Sequence, residues 1–262
     1  MRVSIVWTIL RREWIEILRN RLLMSTILVP PVLLTIAPII LAGALGNQAL
    51  PPELAAEVLE QRPEWASFTE AELAGAFAVQ QFLVFFLLMP AYIPLSIATF
   101  SIIGEKLSRS LEPVLAAPIR TVELLAGKSI AALVPGVLAG WGTYIVFVGL
   151  ASLVYGPALF GVVTDASWLA GVFLLGPAVG LASVVAGVLV SARVNDPRVA
   201  QQIGGVIIVP IVGLVLVQAT GTLLVGPAGY VLMTIVVLVI SREGLRVGVR
   251  LFDREAILTR WR

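Results

Sequence analysis

The sequence predicts an all-α integral membrane protein with six transmembrane helices, and three observations carry that expectation. Of 262 residues, 59% are hydrophobic and only 13% charged, with a mean hydropathy of +1.00; a soluble domain of this length would need far more charge to cover its surface. The apolar residues fall in long runs without any charge. The basic residues cluster between alternate runs, as membrane orientation requires.

The chain reads as a single transmembrane domain. Residues 1–20 form a lateral helix, in which Val3, Trp7, Leu10, Trp14 and Ile17 recur at helical spacing and Thr8, Arg11, Arg12, Glu16 and Arg19 occupy the other side. Tryptophan and arginine in that pattern suit an interfacial amphipathic helix. It either simply anchors the chain or also touches a cytoplasmic partner. Span 1 covers 21–46. Its Ala42-Gly-Ala44 imitates a signal-peptide cleavage site, but the apolar run is too long and the basic region before it too extended for a signal peptide. An acidic outer loop follows at 47–75, then span 2 at 76–103 and a cytoplasmic segment at 104–128. Spans 3 and 4 cover 129–155 and 168–192. The run Val199–Ser241 would overshoot the bilayer nearly twofold as one helix. Gln218-Ala-Thr-Gly221 and Gly226-Pro-Ala-Gly229 divide it into spans at 203–220 and 224–241. A basic tail, 242–262, ends the chain.

Seventeen of the eighteen Lys and Arg side chains lie on one side of this arrangement, and only Arg62 lies on the other. The bias places both termini in the cytoplasm and makes six spans preferable to five or seven. The outer loop holds six glutamates. Within it Pro52 can open a short helix, and Thr69-Glu-Ala-Glu72 reads as a capping box at the start of span 2.

Composition excludes several chemistries. There is no cysteine and no histidine, so disulfides, zinc knuckles, HExxH sites and an imidazole pH switch are absent. Apart from Arg21 at the edge of span 1, no predicted span contains an Asp, Glu, Lys or Arg residue. Intramembrane charges usually mark proton relays or catalytic sites, so a proton-coupled carrier and an intramembrane protease are both disfavoured. Gly127-Lys-Ser129 imitates a phosphate loop, but the first glycine of that motif is replaced by Val122 and no strand precedes it. Lys128 reads instead as the cytoplasmic flank of span 3. No catalytic, cofactor-binding or metal-binding residue is expected, and nucleic acid is not an expected partner.

The segment 104–128, GEKLSRSLEPVLAAPIRTVELLAGK, is long enough for one or two short helices along the membrane. Leu111, Val114, Leu115 and Ile119 can form an apolar ridge. Arg109, Glu112, Arg120 and Glu123 supply polar contacts, and Pro113 and Pro118 limit the helix ends. Such a ridge suits a groove on another protein; otherwise the segment is a solvated loop on the headgroups. In the next cytoplasmic loop, Asp196 can cap span 5 with Pro197 in its first turn, or it forms a second partner contact with Arg198.

This segment resembles the loop after the second span of ABC-2-type permeases, the membrane subunits of ATP-driven exporters. The resemblance is carried by Gly104-Glu-Lys106, Ser110-Leu-Glu112, Ala117-Pro118 and Glu123-Leu-Leu-Ala-Gly-Lys128. SARVNDPRVAQQ and the tail FDREAILTRWR also look familial, and the sodium-exporter-like branch is the nearest. The resemblance implies a permease subunit in a prokaryotic plasma membrane, paired with a second, identical or different permease subunit. Separate ATPase subunits would hold ATP and Mg. The coupling interface would then comprise Glu105, Arg109, Leu111, Glu112, Pro113, Leu115, Pro118, Ile119 and Glu123. Gln80, Gln81, Thr143, Tyr144 and Gln218 are candidate polar residues of the pathway, and membrane lipid is a further partner. An ATP-independent carrier or channel is the alternative.

Overall fold

The computed structural model describes residues 2–45, 49–108, 120–220 and 223–251. Eleven α-helices account for most of these residues, and no strand occurs among them. They are α1 (Val3–Arg19), α2 (Arg21–Leu45), α3 (Pro52–Gln61), α4 (Glu70–Phe86), α5 (Leu88–Leu107) and α6 (Thr121–Val163). These are followed by α7 (Ala166–Leu169), α8 (Gly176–Ser191), α9 (Pro197–Gly204), α10 (Ile208–Ala219) and α11 (Pro227–Leu251). Among the described residues, six stretches are long and apolar enough to cross a bilayer: Leu23–Leu41, Glu70–Leu107, Thr121–Val154, Leu159–Ser191, Pro197–Gln218 and Pro227–Arg250. In hydrocarbon, backbone amides must be satisfied within the segment, which is why helices fill these runs.

Local chemistry sets many of the element ends. Thr69 and Glu72 cap α4 reciprocally: Glu72 N donates to Thr69 Oγ1 at 3.3 Å and Thr69 N to Glu72 Oε2 at 2.8 Å. Asp196 accepts from Arg198 N and Val199 N, with Pro197 in the first turn of α9. Pro52 starts α3. The break between α4 and α5 falls at Leu87, where Pro90 lacks the amide that Phe86 O would accept and its ring crowds that carbonyl.

The α4–α5 pair is the centre of the bundle, and its apolar stretch is mostly buried, whereas those of α2, α10 and α11 are mostly exposed. Lipid offers no hydrophobic drive for helix association, so close packing and buried polar contacts hold the bundle. At Gly180, for example, a Cβ would lie 2.7 Å from Leu133 Cδ1 and 3.3 Å from Pro90 O, so only glycine lets α8 sit this close to α5 and α6. Aromatic rings fill the half of the bundle next to α3. Trp168 is fully buried and stacks on Tyr144 and Phe147 at 5.9 and 5.5 Å, with Phe86 edge-on at 5.6 Å. Residues 170–175 form a π-helical turn, and the Val172 carbonyl there accepts the Trp141 indole N–H at 3.2 Å.

Two features depart from the sequence reading. α6 continues to Val163, well past residue 155, so only Thr164 and Asp165 separate it from α7. In α1, the buried residues are Val6, Leu10, Glu13 and Ile17, while Val3 and Trp7 are 76% and 61% exposed. The helix turns the arc that carries Glu13 into the bundle because it nestles over Gly127, where a Cβ would lie 2.8 Å from Ile9 Cγ2, and Val3 and Trp7 of the expected interfacial face stay outward.

The charge bias gives a labelling test, made clean by the absence of native cysteine. Ser67 and Ser108 are both exposed and lie at opposite ends of the bundle. Ser67→Cys should react with an impermeant maleimide in intact cells, and Ser108→Cys only after permeabilisation. The inverse pattern would overturn the orientation.

Candidate functional site

The 109–119 segment is carried between two stems, the end of α5 and the start of α6. Arg109, Leu111, Glu112, Pro113, Leu115, Pro118 and Ile119 lie outside the described residues. Glu105 and Glu123, the two remaining members of the expected interface, sit on the stems, and both are buried against this same chain.

Glu105 belongs to a buried ionic cluster. Lys128 Nζ lies 2.6 Å from Glu13 Oε1 and 2.9 Å from Glu105 Oε2, and donates to Ser101 Oγ at 2.7 Å. Ser101 Oγ donates in turn to Glu13 Oε2 at 2.7 Å. Arg12 reaches Glu105 at 3.5 Å and Glu16 at 3.1 Å. The side chains of Glu13, Glu105 and Lys128 are 4–6% exposed. Removing two charges from water is costly, and the cluster is tolerable because each charge faces an opposite one. Three helices are joined: α1 through Glu13, α5 through Ser101 and Glu105, and α6 through Lys128. The lookalike phosphate loop thus has a structural use, with Gly127 admitting Ile9 and Lys128 reaching Glu13.

A second tie lies one turn away. Glu123 accepts from Arg2 N at 2.7 Å and from Arg2 Nη2 at 3.2 Å, and from Arg120 N at 3.2 Å. It therefore caps α6 and holds the start of α1 in one arrangement. Lys106 Nζ donates to the carbonyls of Ser191 and Val194 at 3.1 and 3.2 Å, which satisfies the end of α8. The stem of the 109–119 segment is thereby linked to the loop that carries Asp196 and Arg198. Both of those residues are at the surface, with Asp196 occupied in capping α9.

The opposite end carries its own tie. Arg62, 7% exposed, lies 2.9 Å from Asp165 and 3.2 Å from Glu64, donates to Ser167 Oγ at 2.8 Å and stacks over Trp65 at 5.6 Å. Gln61 Oε1 accepts from Leu224 N at 2.6 Å. The hairpin of α3 and the 3-10 turn that follows it (Pro63–Ser67) is thus fastened to the α6–α7 turn and to the link before α11, over an apolar underside of Val58, Trp65, Leu73, Phe77, Val162 and Leu224.

The five candidate pathway residues do not form one cluster, although Gln80 and Tyr144 both meet Trp168. Gln80 accepts the Trp168 indole N–H at 3.0 Å, Tyr144 donates to Val163 O at 2.8 Å, and Gln218 donates to Tyr230 Oη at 3.3 Å, all three inside the bundle. Gln81 is half-buried on α4. Thr143 borders a groove of about 690 Å³ between α2 and α6, and its hydroxyl donates to Ala139 O on its own helix. Among the described residues no acidic group is clustered so as to hold a metal ion.

Sequence reasoning missed Glu13, Ser101 and the Arg62–Asp165 pair. Glu13 had a signal: it lies on the same helical arc as Val6, Leu10 and Ile17, a lone charge among apolar residues. Arg62 and Asp165 had a weaker one, each being a lone charge of its sign or segment outside the basic side.

Residues 40–235 match the family model described as ABC-2 family transporter protein. No curated protein matches the chain.

Proposed function

Because the chain belongs to the ABC-2 family of transporter proteins, we propose that it is the permease subunit of an ATP-driven exporter, with the 104–128 segment as its coupling element. The chain is a multi-pass membrane component of an ABC transporter, with six apolar helices long enough to span. ATPase subunits are partners of this family in general. The finer reading adds export as the direction, a second permease copy or homologue completing the pathway, and ATP and Mg held by the ATPases. It places the basic end and both termini in the cytoplasm of a prokaryotic cell.

The observation that supports it most is the tying of both stems of the 109–119 segment. Glu105 and Lys128 face each other at 2.9 Å at the base of that segment, and Glu13 and Arg2 bind the stems to α1. A loop that only covered headgroups would not need such anchorage. A segment that receives a push does, because force reaches the spans only through stiff attachments.

Leu115→Asp tests it. A few apolar anchors carry most of the binding energy in such grooves. Copurification of the ATPase, or substrate-stimulated ATP hydrolysis, should fall by roughly tenfold. Membrane insertion should stay normal, as should the control Ala66→Asp, an exposed site at the other end. Full coupling in Leu115→Asp would return the segment to a solvated loop. Transport by the reconstituted chain without nucleotide or ATPase would instead favour the ATP-independent carrier or channel.

A further inference from the structure

We infer that α1 is a binding surface for anionic phospholipid, read by Arg11 and Arg19. The helix has three faces. One, with Val6, Leu10, Glu13 and Ile17, is buried in the bundle. The second is apolar and exposed: Val3 at 76%, Trp7 at 61% and Leu18 at 68%. The third carries Arg11, Ile15 and Arg19, four residues apart and all exposed, so they stand in one row beside the apolar stripe.

The position of α1 puts this row at the membrane boundary. Only Asn20 separates α1 from α2, where it accepts from Leu23 N at 3.2 Å and caps α2. The apolar span begins at Leu23. The exposed stripe of α1 thus lies one residue from a helix that also exposes an apolar face, Leu28, Val29 and Val32, which needs hydrocarbon around it. Tryptophan and leucine beside arginine form the pattern of an interfacial helix whose cations meet headgroups. The acids of α1 are already committed, Glu13 to Lys128 and Glu16 to Arg12. The outward row is left with net positive charge, and Arg21 extends it. An anionic headgroup is the occupant of complementary charge. This assignment does not depend on any ATPase.

The test uses the whole purified chain. Ile15→Cys, the single cysteine, sits between the two arginines and carries a bimane label. The chain is reconstituted in phosphatidylcholine containing a minority of phosphatidylglycerol, with bromine on the acyl chains of one lipid or the other. The ratio of the two quenching efficiencies reports which lipid is enriched beside α1. Phosphatidylglycerol should be enriched. The enrichment should fall roughly fivefold for each of Arg11→Gln and Arg19→Gln, and it should shrink at high salt. A label at Leu169→Cys, exposed near the other end, should report no enrichment. Quenching at position 15 by the two lipids in proportion to their bulk amounts would overturn the assignment. So would enrichment that survives the double substitution Arg11→Gln/Arg19→Gln, or equal enrichment at position 169. Both arginines are exposed, so the variants should fold, and a monodisperse elution profile checks this.

Discussion

Lys128→Met is expected to destabilise the chain by about 3–5 kcal/mol, the usual cost of removing one partner from a buried ion pair. Glu13 and Glu105 would be left facing each other's negative charge, 4% and 6% exposed, with only Arg12 at 3.5 Å to offset one of them. The loss should appear as a lower melting temperature of the detergent-purified chain. The double variant Glu13→Leu/Lys128→Met tests the cause. It removes one charge of each sign and leaves the Arg12–Glu105 pair, so much of the stability should return. If the two losses simply add, Lys128 acts through packing and the ionic account fails. Lys128→Arg should be intermediate, since a forked guanidinium cannot take the place of a compact ammonium between two carboxylates and a hydroxyl.

At the other end, Arg62→Leu should loosen the α3 hairpin without unfolding the bundle. The substitution removes contacts to Asp165, Glu64 and Ser167. Hydrogen bonds to charged groups contribute about 1.5–3 kcal/mol each, and the partly exposed Asp165 keeps some access to water. A net local cost of about 2–3 kcal/mol corresponds to a rise of roughly 30- to 150-fold in opening. Amide exchange over residues 52–67 should accelerate by that factor while α5 and α8 keep their protection. Uniform acceleration along the chain would mean that Arg62 supports the whole fold, and no acceleration would mean that Val58 and Trp65 hold the hairpin alone.

The helices were legible because they obey local rules. Uncharged runs, the Thr69–Glu72 box and Asp196-Pro197 each act within a few residues, and each has its counterpart in the structure. The ionic clusters were not legible because their members are far apart in sequence: Glu13 and Lys128 by 115 residues, Arg62 and Asp165 by 103. Spacing along one helix cannot reveal such pairs. Which arc of α1 enters the bundle was not legible for a related reason: the site over Gly127, distant in sequence, selects the arc that carries Glu13 and leaves Val3 and Trp7 of the expected interfacial face outward. The helix that carries span 3 runs on past the expected residue 155 to Val163, because a helix bounded by hydrocarbon keeps its backbone bonds rather than ending with the crossing.

The length of α6 has a mechanical consequence. Its 43 residues make a helix about 65 Å long, roughly twice the thickness of the hydrocarbon layer. Near one end it carries Lys128, and near the other Val162, which packs beneath the α3 hairpin. A long bar held in the middle of a bundle behaves as a see-saw. If it tilts as a unit by about 5°, each end moves by about 3 Å, and the two ends move in opposite directions. A shove delivered beside Lys128 would reach the floor beneath Arg62 with its sense reversed, so that closing the stems on one side of the membrane would lift the cover on the other.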